Sequence, residues 1–214
     1  MLKVWGRRNS LNVQKVMWLV GELGLEHQHA PAGGPFGLTN TDAYGQLNPN
    51  RLVPVVEDGA LAIWESHTIL RYLAARYGGR RFWPARAGTR SRFDRWMDWC
   101  LAHWQPAFST GVFWGYYRTP ERQRDWPSIH RAVAQCGELL GIVEQALERP
   151  YLASDDLTLG DIPLGASMYR YFTLDIDRPR LPRVEAWYER LTERAAYREH
   201  VMVDYEDLKG RLAF

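Results

Sequence analysis

Two short apolar runs joined by an Asp-Gly pair constrain the fold of this chain most strongly. The runs lie at residues 52–57 and 60–64, and Asp58-Gly59 separates them. Two such runs joined by Asp-Gly are a strong signature of a β-hairpin. The sequence therefore predicts a sheet that contains at least these two adjacent antiparallel strands.

The segments around this hairpin alternate between predicted strands and helices. Residues 2–5 and 27–30 resemble short strands, and a helix with apolar residues every three or four positions follows Ser10. Residues 39–47 predict a short helix and residues 65–77 a longer one. The predicted order is β-α-β-α-β-β-α, a mixed four-stranded sheet with helices on it, which is the thioredoxin topology.

Pro54 falls just inside a predicted strand, where its missing N–H is normally a defect. A cis peptide bond at the start of the strand is one way to tolerate a proline there. We therefore expect the bond before Pro54 to be cis.

The chain changes character after Gly78. Residues 79–88 are rich in Gly, Pro and Arg without periodicity, so they predict a linker. Strand signals then nearly vanish, and helical segments follow at 89–114, 128–147, 160–172 and 184–194. The predicted fold class is therefore α/β plus all-α, with a thioredoxin-like βαβαββα domain at 1–78 and a helical bundle at 89–214.

A helix start within the second domain has a recognisable capping pattern. Thr158 can cap the amide three residues on, and Asp161 can reach back to the N–H of Thr158. Leu157 and Ile162 are placed to form a hydrophobic staple across them. This pattern concerns folding, and we assign it no chemistry.

Composition argues against several classes of function. The formal net charge is +2, and the charges are scattered, so we expect no nucleic-acid or membrane partner. Cys100 and Cys136 form no CxxC motif and are expected to be reduced, buried thiols. The histidines form no spaced ligand set, so we expect no metal site. The sequence lacks the apolar stretch of a signal peptide or of a bilayer span, which predicts a cytoplasmic protein.

Two motifs on either side of the hairpin turn resemble a known family. Residues 48–56 read NPNRLVPVV and residues 64–73 read WESHTILRYL. They resemble the glutathione-site signature of cytosolic glutathione transferases, roughly NP-x-x-x-VP-x-L followed by ES-x-x-I-x-x-YL. The run PRVEAWYERL resembles the helical domain of the same family, so the resemblance covers essentially the entire chain. It implies glutathione as a cosubstrate and a homodimer.

The resemblance implies glutathione-binding roles for residues of both motifs. Val53, beside a cis Pro54, would offer its backbone N–H and C=O to the cysteinyl unit as if extending the sheet. Ser66 and the free amides of its helix would hold a carboxylate, and Glu65 would meet the γ-glutamyl ammonium. A plain edge strand and an ordinary helix cap are the structural alternatives. Candidate partners for the glycyl carboxylate are Arg51 and Thr39.

Ser10 is the candidate catalytic residue. Many family members use a tyrosine on the first strand, which residues 4–7 lack, and others use a Ser or Cys at the start of the first helix. The Ser10-x-Asn12 pattern resembles the serine-type arrangement of bacterial theta-like or nu-like members. Ser10 would donate a hydrogen bond to the glutathione sulfur, with Asn12 facing it, and so favour the thiolate. An ordinary N-cap is the alternative for Ser10, and the two roles are compatible.

An aromatic stretch of the helical domain predicts the pocket for the second substrate. In the family this pocket lies between the domains and is lined by the first long helix of the second domain. The candidates are Trp104, Phe108, Phe113, Trp114, Tyr117 and Arg118. Together they predict an apolar cavity for a small electrophile, and the alternative is that these aromatics are core residues.

These features together predict a glutathione S-transferase that activates the thiolate for addition to a small hydrophobic electrophile, as in detoxification. Two alternatives stay open. One is a glutathione-dependent disulfide or peroxide reductase, and the other is a non-catalytic relative that binds glutathione or another ligand. The fold by itself does not decide among them.

Overall fold

The computed structural model describes residues 1–213, which contain one four-stranded sheet. Its strands are β1 (Leu2–Trp5), β2 (His27–Ala30), β3 (Val55–Asp58) and β4 (Leu61–Trp64), in the spatial order β2-β1-β3-β4. Strand β1 is parallel to β2 and antiparallel to β3, and β4 is antiparallel to β3. The predicted hairpin and the predicted mixed sheet are therefore confirmed.

Three helices alternate with these strands in the predicted order. They are α1 (Leu11–Glu22), α2 (Asp42–Leu47) and α3 (Ser66–Tyr77). Helix α2 is shorter than the predicted 39–47 because Thr41 caps it, accepting a hydrogen bond from the N–H of Tyr44 at 3.3 Å. The element order β-α-β-α-β-β-α is that of a thioredoxin-like domain.

Strand β3 begins at Val55, three residues later than predicted from the apolar run at 52–57. The Val53-Pro54 peptide bond is cis, as expected, and Pro54 has no N–H to offer the ladder. The carbonyl of Leu52 instead accepts hydrogen bonds from the Asn48 side-chain amide at 2.9 Å and the Tyr44 hydroxyl at 3.0 Å. These bonds fix the segment before the strand outside the sheet.

The apolar stripe that follows Ser10 forms one side of the core. Val13, Val16 and Val20 are completely buried, as is Val4 on the sheet. Burial of each such side chain contributes about 1.5–3 kcal/mol, so the stripe holds α1 against its neighbours. Lys15, on the opposite face of α1, is buried as well, although it is charged: it is only 4% exposed.

The second part of the chain is helical, as predicted. Its helices are α4 (Gly79–Phe82), α5 (Ala87–Trp99), α6 (Trp126–Ala146), α7 (Ile162–Thr173), α8 (Pro182–Thr192) and α9 (Ala195–His200). The helix predicted at 89–114 continues beyond α5 with π-helical winding at Cys100–Trp104 and Pro106–Arg118. Short α4 lies inside the segment predicted as a linker. Within the described residues, no helix has the length and apolarity needed to cross a membrane.

Two compact units divide the chain, and the division places α9 with the sheet. One unit comprises residues 1–85 and 195–203, and the other comprises residues 86–194 and 204–213. Tyr197 of α9 packs edge-on against Trp18 of α1, with ring centroids 4.8 Å apart. Gly21 permits this approach, because a Cβ there would lie 2.9 Å from that of Ala196. The predicted helical domain, 89–214, includes α9, because the residue that α9 packs against, Trp18, is remote in sequence.

Asp161 is a buried anchor of the helical unit and accepts four hydrogen bonds. Its Oδ2 accepts from the N–H and the hydroxyl of Thr158, both at 2.9 Å. Its Oδ1 accepts from the N–H of Leu152 at 2.9 Å and from the Nε1–H of Trp187 at 3.1 Å. One carboxylate therefore ties the loop before α7 to that helix and to α8.

The predicted capping pattern is present with one difference. Asp161 does reach back to the N–H of Thr158, and both Leu157 and Ile162 are fully buried. The hydroxyl of Thr158, however, accepts from the N–H of Gly160 at 3.2 Å, and not from the amide three residues on. Helix α7 accordingly begins at Ile162, with Asp161 as its N-cap.

Replacing Asp161 with Ala is expected to lower the free energy of unfolding by about 3–5 kcal/mol, because it leaves several buried donors without an acceptor. Urea denaturation measures the change. Asp156→Ala is a matched control, since Asp156 is exposed in the same loop and should change stability by less than about 0.5 kcal/mol. A loss below about 1 kcal/mol for Asp161→Ala would show that the carboxylate is not an anchor.

Candidate active site

Three loops meet at one edge of the sheet: the loop from β1 into α1, the loop before β3 and the start of α3. Gly6 brings the first two together, since a Cβ there would lie 3.2 Å from the Cβ of Val53 and would overlap Val13. Its φ of +147° also favours glycine. The hydroxyl of Ser66 donates to Oδ1 of Asn12 at 3.4 Å and so joins the starts of α3 and α1.

Ser10 is the N-cap residue of α1, but its hydroxyl does not cap the helix. The residue has an extended backbone with φ −85° and ψ 123°, and its side chain makes no cap hydrogen bond. Only 9% of Ser10 is exposed, and its hydroxyl has no hydrogen-bond partner within residues 1–213. The first turn of α1 also lacks acidic residues. Its orphan amides and the hydroxyl are therefore available to an anion.

Helix α3 begins in the same way. Glu65 is its N-cap residue, its side chain makes no cap hydrogen bond, and the first turn has no acidic residue. The backbone of Glu65 has φ +67°, a left-handed conformation that costs a residue other than glycine on the order of 1 kcal/mol. Glu65 is exposed, whereas Ser66 beside it is buried. The helix therefore presents open amides, a hydroxyl and an adjacent carboxylate.

Val53 lies beside the loop that leads into α1 and outside the β-ladder. Its side chain packs on the cluster of Ala32, Tyr44 and Val55. Within the described chain its backbone N–H and C=O have no hydrogen-bond partner. An extended peptide could therefore pair with Val53 without displacing an existing bond.

Arg51 and Thr39 lie in the loop beside Val53. Arg51 donates from Nη1 to the carbonyl of Thr41 at 2.8 Å and to that of Thr39 at 3.4 Å, and its guanidinium lies 3.5 Å from Asp42. Gly33 is in reach of both Thr39 and Val53, because a Cβ there would lie 3.4–3.6 Å from their methyl groups. Arg51 thus holds the loop that carries Thr39, and its guanidinium already has partners in the chain.

Sequence reasoning missed a buried polar cluster behind Asn12. The ammonium of Lys15 donates to Oδ1 of Asn12 at 2.9 Å and lies 3.3 Å from Nε2 of His67. Burial, and then the charge of Lys15, lower the pKa of His67 to about 2, so its ring is neutral at pH 7. No local signal marked Lys15, because the apolar period of α1 places it opposite the stripe, where a charged residue is expected to face solvent. Among residues 1–213, no group of three His, Cys, Asp or Glu side chains is arranged to hold a metal ion.

The residues predicted for the second substrate have different environments within the helical unit. Trp104 and Phe108 stack 5.2 Å apart in its interior, and each is at most 1% exposed. Phe113 is also buried, whereas Trp114 is 41% exposed. The guanidinium of Arg118 lies 3.9 Å from the centroid of the Trp114 ring, and its Nε donates to the carbonyl of Arg211 at 2.8 Å.

Tyr117 lines a cavity of the helical unit. The cavity has a volume of about 490 Å³, and Tyr169 and Tyr205 also line it. The rings of Tyr117 and Tyr205 meet edge to face with centroids 5.1 Å apart. Burial is the main cause that raises the pKa of Tyr117 to about 12, so its hydroxyl stays protonated at pH 7 and can donate a hydrogen bond.

Comparisons with known proteins match both parts of the chain. Residues 1–75 match the model of the glutathione S-transferase N-terminal domain, and residues 105–195 match that of the C-terminal domain. Glutathione S-transferase GstB of Escherichia coli strain K12 is 35% identical over 206 residues, which cover 95% of this chain and 99% of the relative. Glutathione S-transferase 3 of Zea mays is 29% identical over 211 residues, which cover 94% of this chain and 93% of the maize protein.

A solved structure is similar over nearly the whole length. It is the crystal structure of the theta class glutathione S-transferase from the citrus canker pathogen Xanthomonas axonopodis pv. citri with glutathione bound. The identity is 45% and the TM-score 0.90, with 95% of this chain and 98% of that chain covered. Both family models, the 35% identical relative and this shared fold lead to one conclusion. The chain belongs to the glutathione S-transferase family.

Proposed function

We propose that this chain is a glutathione S-transferase that binds glutathione at the sheet edge where α1 and α3 begin. There it ionises the thiol and presents the thiolate to a small hydrophobic electrophile. The observation that carries the proposal is the hydroxyl of Ser10, which occupies an N-cap position and caps nothing. A hydroxyl used only as a cap would bond to an amide of its own helix.

The two uncapped helix starts match the charges of glutathione. In our proposal the γ-glutamyl carboxylate binds the open amides and the hydroxyl of Ser66 at α3, because a helix N-terminus favours an anion. Glu65 then pairs with the neighbouring ammonium. Val53 bonds to the backbone of the cysteinyl unit as an added strand would. The sulfur is thereby directed to the start of α1.

The thiol needs only modest stabilisation to ionise there. An ordinary thiol has a pKa of about 8.5, and each unit of lowering corresponds to about 1.4 kcal/mol. A hydrogen bond from Ser10 to the charged sulfur contributes about 1.5–3 kcal/mol, and the helix start about 0.3–1 kcal/mol. The sum suffices to lower the thiol pKa by one to two units or more, which gives roughly a quarter to three quarters thiolate at pH 7.

The chemical step follows from that thiolate. Its sulfur lone pair forms a C–S bond to the electrophilic carbon. In a substitution the bond to the leaving group breaks and that group departs with the electron pair; in an addition the π electrons move to the far atom of the double bond, which takes a proton from solvent. The thiol proton has already left to solvent. Ser10 donates a hydrogen bond throughout and is not itself the nucleophile. For the second substrate, the exposed ring of Trp114 and the hydroxyl of Tyr117 remain our candidate contacts, while Trp104, Phe108 and Phe113 are packed inside the helical unit.

We also propose that the chain acts in the cytoplasm as a homodimer, in the detoxification of electrophiles. Exposed apolar side chains on the sheet unit support the dimer, since Leu52 is 63%, Leu61 48% and Trp64 38% exposed. Covering such residues with a second copy removes apolar area from water.

Replacing Ser10 with Ala is expected to raise the pKa of the bound glutathione thiol by about one to two units, because the sulfur loses its charge-assisted donor. Ultraviolet absorbance of the thiolate against pH measures this directly. At pH 6.5, kcat/KM for a model aryl electrophile should fall roughly tenfold or more.

The matched control is Ser91→Ala, which removes an exposed hydroxyl whose only bond is to the carbonyl of Gly88 in the helical unit. It should leave the thiol titration unchanged. If Ser10→Ala also leaves the titration at its wild-type position, the hydroxyl does not stabilise the thiolate.

Replacing Glu65 with Gln is expected to weaken glutathione binding two- to fivefold, the size of an exposed ion pair. Calorimetry with glutathione and with its analogue lacking the γ-glutamyl amino group separates the causes. The analogue should bind both proteins equally, and Glu26→Gln, an exposed acid elsewhere in the same unit, should bind glutathione as wild type does. Equal loss for both ligands would refute the pairing with the ammonium.

A further inference from the structure

A lysine is buried on α1, on the face opposite the apolar stripe, where a charged side chain is expected to reach solvent. Lys15 is 4% exposed, and Trp18 and Leu19, which follow it at helical spacing on the same face, are fully buried. Placing an ammonium in such surroundings costs several kcal/mol unless hydrogen bonds compensate. A methionine would fill the same space without that cost, so the charge calls for a functional reason.

The bonds of Lys15 define the orientation of the Asn12 amide. An ammonium has only donors, so the atom of Asn12 that lies 2.9 Å from it is the oxygen, Oδ1. Ser66 donates to the same oxygen at 3.4 Å. With Oδ1 facing these two donors, the Nδ2–H groups point the other way and have no partner within the described residues.

The ammonium of Lys15 also lies beside the ring of His67. The ring of His67 is neutral, and the charges of Lys15 and Arg71 both contribute to keeping it so. Its Nε2, 3.3 Å from the ammonium, can therefore accept a hydrogen bond. One lysine thus holds Asn12 on α1 and His67 on α3.

We infer that Lys15 is a positioning residue, which fixes the amide of Asn12 so that its N–H groups, beside the hydroxyl of Ser10, stabilise the glutathione thiolate. This inference rests on the proposed function. The lysine touches neither reacting atom; it acts through Asn12.

The test is the thiol titration of bound glutathione in Lys15→Met, Asn12→Ala and the double variant of the full-length protein. We expect the thiol pKa to rise by about one unit in Lys15→Met, which leaves about tenfold less thiolate at pH values below both pKa values. The double variant should be shifted no further than the larger of the two single shifts, because both substitutions remove the same donor. Lys15→Arg, which restores a cationic donor, should return the pKa towards that of wild type.

Lys3→Met is the matched control, because Lys3 belongs to the same unit but pairs with Glu57 and lies over the ring of Trp5. It should leave the thiol pKa unchanged. If Lys15→Met does not fold, Asn12→Asp serves instead: it provides Lys15 with an ion pair and removes the amide donors, so the thiol pKa should rise by at least as much.

Affinity for glutathione, measured first by calorimetry, separates the two proposals. Absence of binding by the wild-type protein overturns the proposed function. Binding that persists in Lys15→Met with an unchanged thiol pKa overturns only the role of Lys15, as do additive shifts in the double variant. An unchanged thiol pKa in Asn12→Asp has the same consequence.

Discussion

Two helix starts that are left uncapped and lie beside each other are the constraint on which this site depends. The first amides of any helix need acceptors, and most N-cap side chains supply one. Neither Ser10 on α1 nor Glu65 on α3 does so. The unit therefore carries two adjacent sites for negative charge, and its remaining features either hold those helix starts together or keep them open.

The positions of the helix starts follow from the sheet. Strand β1 leads directly into α1, and the β3–β4 hairpin leads directly into α3, so both helices begin at the same edge. Gly6 lets the first loop approach Val53, and Asn48 bonds to the carbonyl of Leu52 to fix the loop that carries it. A buried lysine then joins α1 to α3 through Asn12 and His67.

Much of the sheet unit could be predicted from the sequence, because its signals are local. The Asp58-Gly59 turn, the period of apolar residues after Ser10 and the cis bond before Pro54 each depend on a few adjacent residues. The packing of α9 on α1 could not be predicted, since it depends on a contact between Trp18 and Tyr197 that no local pattern records.

The candidate site could likewise be predicted only in part from the sequence. Sequence motifs indicated Glu65, Ser66 and Val53 as glutathione-binding residues. They do not distinguish a Ser10 hydroxyl that caps its own helix from one that is open to a ligand. That distinction is a matter of side-chain geometry. Lys15 was missed because the apolar period of α1 places it opposite the stripe, where a charged residue is ordinarily expected to face solvent. Its bonds to groups on α1 and α3 appear only in the folded chain.

The most direct measurement of the central claim is the number of protons released when glutathione binds at pH 7, obtained by calorimetry in buffers of different ionisation enthalpy. If the start of α1 stabilises the thiolate, binding should release a substantial fraction of one proton, whereas S-methylglutathione, which has no thiol proton, should release none. Binding of glutathione without any proton release would contradict the account, because the sulfur would then be held at this site as a neutral thiol.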